Sequence, residues 1–285
     1  MRLGATTFLT DRSIEPVELA VALEERGFDS LWIAEHTHIP VSRRTPFPGG
    51  EPLPEMYRRA YDPMVALTAA AMATEHLMVT AVCLVAQHDP IVLGKQIACL
   101  DRLSNGRFWF GVGFGWNVDE MENHGIDPAD RWTLVREKVG AMRALWRDDE
   151  AGYDGTLVKV APSWCWPKPT TPSGPPVFLG GAGGPRMREH LIDYADGWLP
   201  NHVGPDTPAT LAALRDEATR RGRDPDTIRL IVPGPADPKF LEAQASLGCE
   251  RVLLPVPVAS REVVLPYLDR HAAVAAELNV RERGS

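Results

Sequence analysis

The chain has few cysteines and no CxxC spacing: Cys83, Cys99, Cys165 and Cys249 stand far apart. A disulfide framework and a thiolate zinc site are both disfavoured, and two of the four thiols lie in apolar segments, where a free cysteine packs as a small hydrophobe. Reduced thiols imply a cytoplasmic protein. No apolar run reaches bilayer length, and the N-terminus enters RLGATTF without a basic region and apolar core, so neither a membrane span nor a secretory signal is expected. A basic excess is also missing. Lys+Arg 30 against Asp+Glu 38 leave a formal charge of −8, which argues against broad nucleic-acid or anionic-membrane binding. There is no GxSxG elbow and no cysteine in a Cys/His setting, so nucleophilic catalysis is disfavoured.

What is present is a rhythm. In residues 77–127, LMVTAVCLV is an apolar, β-branched run of strand length, and AQHDP follows as a polar turn with Asp89 as N-cap and Pro90 at the first helical position. Ile91, Leu93, Ile97, Leu100 and Leu103 recur at mostly helical spacing; Ser104-Asn105-Gly106 stops the helix, and FWFGVG is the next strand. The same alternation runs along the chain. Strands are expected at 2–7, 29–34, 77–84, 108–113, 177–180, 197–200, 227–232 and 251–256, each followed by a helix or helix-like segment. Strict βα alternation of this size predicts a single (β/α)8 TIM barrel over 1–285. Two excursions interrupt it: a long Pro/Gly/Arg-rich loop over 37–61 after the second strand, and an irregular insertion over 148–176 before the fifth, with a turn at Tyr153-Asp154-Gly155.

In a barrel the carboxyl ends of the strands form the ligand-binding mouth. They would bring together Glu35, His36 and His38, Val85–Asp89, Phe114–Asn117, Gly180–Gly184, Asn201 and His202. GGAGG between a strand and a helix is either an anion cradle at a helix start or a plain flexible turn, and it matches neither GxGxxG nor a P-loop. GVGFGWN is either tight packing or a flat surface for a ring, with Asn117 as its hydrogen-bonding group. His36-x-His38 has the look of the metal pair of barrel hydrolases, yet the fourth, fifth and eighth strand ends supply no further ligands, so no metal is expected. His36 is then either structural or an acid/base group, since an unperturbed imidazole changes charge near neutrality. Few ionisable groups among glycines and aromatics suit a protein whose cofactor carries the chemistry.

TAVCLVAQHDPIVLGKQIACLDRLSNGRFWFGVGFGWNVDEMENHGID, Arg131, the Pro-Lys-Pro at 167–169, PPVFLGGAGG and ADGWLP together resemble the bacterial luciferase-like flavin and deazaflavin oxidoreductases, most closely the branch using coenzyme F-420. The resemblance implies a (β/α)8 barrel, usually a homodimer, in which Glu35, Ala81, Val82, Asn117 and Gly180, Gly181, Ala182, Gly183 and Gly184 hold the cofactor. It places the ring on a bulge at the end of the third strand, with a non-prolyl cis peptide at Ala81–Val82. His36 is the implied catalytic residue, moving a proton or polarising the substrate. His38, Tyr57, Arg58, Phe114 and Trp116 are candidate substrate or lid residues, with Arg43 and Arg44 in the same loop. Phe114 stands where the sugar-phosphate dehydrogenase branch has a catalytic Glu, which points away from glucose-6-phosphate and toward a more apolar substrate. The implied activity is hydride transfer between F-420 and a small organic molecule. The alternatives are a reduced-FMN monooxygenase, a catalytically silent cofactor-binding relative and, third, a metal-dependent hydrolase.

Overall fold

Three Asp-Pro pairs show how the local sequence starts its helices. Asp62, Asp89 and Asp237 each accept a backbone N–H two or three residues on, and the proline that follows fills the first helical position, where an N–H has no partner to lose. The computed structural model describes residues 1–171 and 173–281. In it the helices are α1 (Pro16–Glu25), α2 (Pro63–Met72), α3 (Pro90–Leu103), α4 (Val118–Asn123), α5 (Arg131–Arg147), α6 (Pro185–Tyr194), α7 (Thr207–Arg220), α8 (Pro238–Ser246) and α9 (Arg261–Arg281). The strands are β1 (Arg2–Thr7), β2 (Ser30–Ala34), β3 (Met78–Leu84), β4 (Phe108–Gly113), β5 (Glu150–Asp154), β6 (Lys159–Trp164), β7 (Val177–Gly180), β8 (Gly197–Leu199), β9 (Arg229–Pro233) and β10 (Cys249–Pro255).

Eight of these strands close into a parallel barrel in the order β1-β10-β9-β8-β7-β4-β3-β2, at the eight places expected from the sequence. The two-residue period of a strand then sorts the side chains. Leu31 and Ile33, Val79, Ala81 and Cys83, and Phe108, Phe110 and Val112 join the layer beneath the helices. Trp32, Phe178, Ile231 and Leu253 fill the barrel itself, with Val82, Trp109 and Leu199 against them. No helix among the described residues is long and apolar enough to cross a membrane.

The insertion before the fifth barrel strand is not irregular throughout. β5 and β6 form an antiparallel hairpin outside the barrel, whose Ala151, Val158 and Val160 pack on Ala141 and Leu145 of α5. Gly152 and Pro162 interrupt any alternation of apolar residues, so the sequence alone does not announce it. Glu137 of α5 holds the hairpin by accepting from the backbone N–H groups of Thr156, Leu157 and Val158 at 2.8, 2.8 and 2.9 Å. Burial pushes the Glu137 carboxyl up, and these donors more than offset it, leaving its pKa below the usual glutamate value. A depressed carboxyl contributes stability that is complete above its unfolded pKa, about 4.3, and is lost as pH falls through the folded value. Glu137→Ala is expected to cost about 3 kcal/mol at pH 7, the scale of losing a buried charged acceptor. The gap to the native protein should close as urea titrations are stepped below pH 4.

Candidate functional site

The inward row of β2, Trp32 and Ala34, continues past the strand end to His36, while the outward row continues to Glu35. That parity gives the two neighbours different tasks. Glu35 is buried and turned toward the third strand: its carboxylate accepts from Leu84 N at 2.7 Å and meets His88 Nε2 at 2.8 Å. Its work is to hold the turn after β3. Lys138 of α5 holds the same turn from the other side, donating to the carbonyls of Ala86 and His88 at 2.7 and 2.6 Å. Burial pulls its ammonium below the usual lysine value.

His36 faces Glu120 of α4. Both are buried, and Nδ1 lies 2.9 and 3.0 Å from the two carboxylate oxygens. A carboxylate accepts, so Nδ1 donates and Nε2 is the nitrogen left for other chemistry. Three aromatic rings, Phe8, Tyr57 and Trp116, meet the imidazole, and a fourth, Phe47, packs behind them. Tyr57 lies 5.1 Å and Trp116 6.0 Å from it between ring centroids, Phe8 and Phe47 each lie 4.9 Å from Tyr57, and Phe47 lies 5.6 Å from Trp116. Burial raises the Tyr57 phenol above its ordinary value, so it stands as a neutral group. Phe47 and Tyr57 come from the 37–61 excursion. This loop is fastened: Arg44 bonds Asp119 of α4 through its backbone N–H and Nε at 2.7 and 2.9 Å and also meets Glu122, while Thr10 and Ala60 form a β-bridge.

Below the rings, the inward positions near the ends of β2, β4 and β7 are small, Ala34, Gly111, Gly113 and Gly180, with Val82 beside them; Leu84 and Leu199 are the larger inward residues at strand ends. A Cβ on Gly111 would come within 2.7 Å of Val82 Cγ2 and 2.9 Å of its Cα, so β4 lies close against β3 only without one. Asn117 stands at the N-cap of α4 but makes no capping hydrogen bond. It is fully buried, and neither Oδ1 nor Nδ2 has a partner. On the far side, Gly180–Gly184 lead into α6; Gly183 has φ 72°, and a Cβ there would meet Thr210 and Trp198 within 3 Å. Arg186 and Arg131 lie over the Trp132 ring at 5.1 and 5.9 Å, and among the described residues neither guanidinium has a carboxylate partner. His190 beside them is lowered to about 4, first by burial and then by the charges of Arg136 and Arg186, so it is neutral at ordinary pH.

The structure corrects several expectations. Among the described residues the only cis peptides precede Pro52 and Pro167, and β3 pairs with β2 and β4 without a register shift, so Ala81–Val82 carries neither a bulge nor a cis bond. Ala81 faces the helices and offers the mouth only backbone, whereas Val82 faces the interior. Phe114 continues the outward row of β4 and packs on Trp132 at 4.0 Å and His190 at 5.5 Å, away from the His36 rings. Arg58 is exposed and paired with Glu55, so it does not line the mouth. His38 diverges from His36 to meet Asn123, Thr37 and the His124 ring. Sequence reasoning missed Glu120, Phe8, Phe47 and Lys138, and placed His88 at the mouth only as part of Val85–Asp89. The spacing Asn117-x-x-Glu120 has the form of a capping box; in the structure neither side chain caps, which is itself a signal that both serve something else.

The family model for luciferase-like monooxygenases matches residues 9–239. An uncharacterized protein of Mycobacterium tuberculosis is 43% identical over 284 residues, covering 97% of this chain and 99% of the relative. An F-420-dependent glucose-6-phosphate dehydrogenase of the same organism is 27% identical over 229 residues, 76% of this chain and 63% of its own length, so this chain spans under two thirds of that enzyme. Two solved structures share the fold at 18% identity. A monooxygenase from Streptomyces bottropensis has a TM-score of 0.78 over 99% of this chain and 100% of its own. An F-420-dependent secondary alcohol dehydrogenase bound to an F-420–acetone adduct has a TM-score of 0.74 over 97% and 99%. A family match spanning most of a barrel of this topology assigns the chain: it belongs to the luciferase-like monooxygenase family.

Proposed function

We propose that the chain is a coenzyme F-420-dependent oxidoreductase that moves a hydride between the deazaflavin and a small, largely apolar organic substrate. One observation carries the reading. Asn117 presents a wholly buried amide with no partner on either atom, at the same strand-end mouth as an imidazole that meets three aromatic rings. An unpaired buried amide costs about 1–3 kcal/mol, and a polar ring edge bound beside it removes that cost. The small floor of Val82, Gly111, Gly113 and Gly180 suits a flat ring. Gly180–Gly184, with the unpaired Arg131 and Arg186, suit the anionic tail of the same ligand. Proteins whose names carry F-420 dependence recur among the curated relatives, which supports a deazaflavin, while the structural neighbours include both F-420-dependent and FMN-bound proteins.

When bound, the deazaflavin supplies a two-electron hydride carrier. The protein supplies orientation, a dry aromatic enclosure and a proton. Glu120 fixes the ring and tautomer of His36, leaving Nε2 to give or take a proton at a substrate oxygen or nitrogen. Phe8, Phe47, Tyr57 and Trp116 offer flat apolar faces to an apolar substrate, and holding partners in register lowers the entropic part of the barrier.

Titrating the purified protein with F-420 and with FMN tests the proposal through ligand fluorescence. Tight F-420 binding followed by oxidation of reduced F-420 on adding enones, imines or ketones supports it. Tight FMN binding with F-420 ignored overturns it in favour of a monooxygenase, and F-420 binding without turnover across the panel points to a silent relative. Asn117→Ala is expected to weaken F-420 binding about tenfold, within the range set by one buried hydrogen-bonding group. His36→Ala should lower single-turnover rates about 10²–10⁴-fold, the usual range for a positioned proton donor, with F-420 affinity kept within about threefold.

A further inference from the structure

Gln87 closes the short turn Val85–Gln87 after β3, and both atoms of its side-chain amide are buried without a partner. The backbone around it is the opposite case. Glu35 takes the Leu84 N–H, Lys138 takes the carbonyls of Ala86 and His88, and the His88 ring is held by Glu35. The fold thus fixes the residues on either side of Gln87 and leaves its amide unsatisfied. β3 and β4 are neighbours, with Leu84 opposite Gly113 in the register. Gln87 lies three residues beyond one of these positions and Asn117 four beyond the other, so two unsatisfied amides leave adjacent strand ends at the same mouth.

We infer that Gln87 is a second ring-reading residue, and that the Gln87–Asn117 amide pair reads the pyrimidinedione edge of a flat heterocycle. Such an edge alternates acceptor, donor and acceptor. A primary amide offers a donor and an acceptor side by side, so two amides complement it where hydroxyls or single charges do not. Burial sharpens the discrimination, since a ligand without that edge leaves all four amide atoms unpaired. The inference rests on the proposed function only in placing a ring of this kind at the mouth. Flavins and deazaflavins both carry the edge, so the assignment does not depend on which of them binds.

Gln87→Met keeps the length of the side chain and removes its polar atoms, and its two expected effects have opposite signs. The thermal midpoint of the full-length protein without ligand should hold or rise by about 2–4 °C, because an unsatisfied amide is gone. Affinity for whichever of F-420 and FMN the native protein binds should fall about tenfold or more by fluorescence titration. Gln87→Glu removes the donors, and its loss of affinity should recover in part as pH is lowered and the carboxyl gains a proton. A Gln87→Met protein that binds the ring within twofold of native overturns the assignment. So does a lowered midpoint, which would make the amide a structural group. If the native protein binds neither F-420 nor FMN, the proposed function fails and this inference with it; native binding with an indifferent variant sinks Gln87 alone.

Discussion

Eight strands closed on themselves leave each inward side chain sharing one small layer with those of its neighbours, and the contents of those layers set everything above them. Toward the amino ends the layer is dense and polar. Arg251 lies 4.3 Å over the Trp109 ring and bonds Asp29, and Arg229 lies 4.6 Å over both Trp109 and Phe178. A middle layer of Trp32, Phe178, Ile231 and Leu253 seals the barrel. Near the carboxyl ends several inward positions shrink to alanine, valine and glycine, Leu84 and Leu199 being larger, and β4 lies close against β3 at Gly111 and Val82.

The loops at that mouth are fastened by ionic groups that the barrel does not need for its own closure. Glu35 and Lys138 grip the turn after β3 from opposite sides, and Arg44 ties the long loop to α4. Glu120 locks His36 from the same short helix. α4 thus sets both the imidazole and the loop that carries Phe47 and Tyr57. A displacement of α4 would disturb the imidazole and the loop's aromatic rings together, although neither Asp119 nor Glu120 belongs to the aromatic wall.

Among the described residues several buried polar atoms have no partner, from Thr80 Oγ1 to Gln244 Oε1, but in two side chains the whole amide is unpaired: Asn117 and Gln87. Each lowers the stability of the empty protein, since a buried amide without a partner keeps the cost of leaving water. These two amides stand past the ends of two adjacent strands, beside backbone that is otherwise well held.

The sequence by itself determined the elements. Short β-branched runs, Asp-Pro helix starts and stops such as Ser104-Asn105-Gly106 act within a few residues of themselves, so the eight barrel strands and the helices between them were legible, and the βα order implied closure. It also marked His36, Trp116, Asn117 and the 180–184 loop as standing at strand ends, and Tyr57 as part of the long loop over 37–61. Tertiary structure alone decided which way each residue faces and what it meets. The strands of a parallel barrel are apolar on both faces, so pattern could not tell that Phe114 belongs with Phe108 and Phe110 under the helices, or that Glu35 and His36 part company. The His36–Glu120 pair spans 84 residues of sequence, and the hairpin of β5 and β6 depends on a carboxylate from α5. Contacts of that range arise only when the barrel closes, because closure brings together groups that no local rule connects.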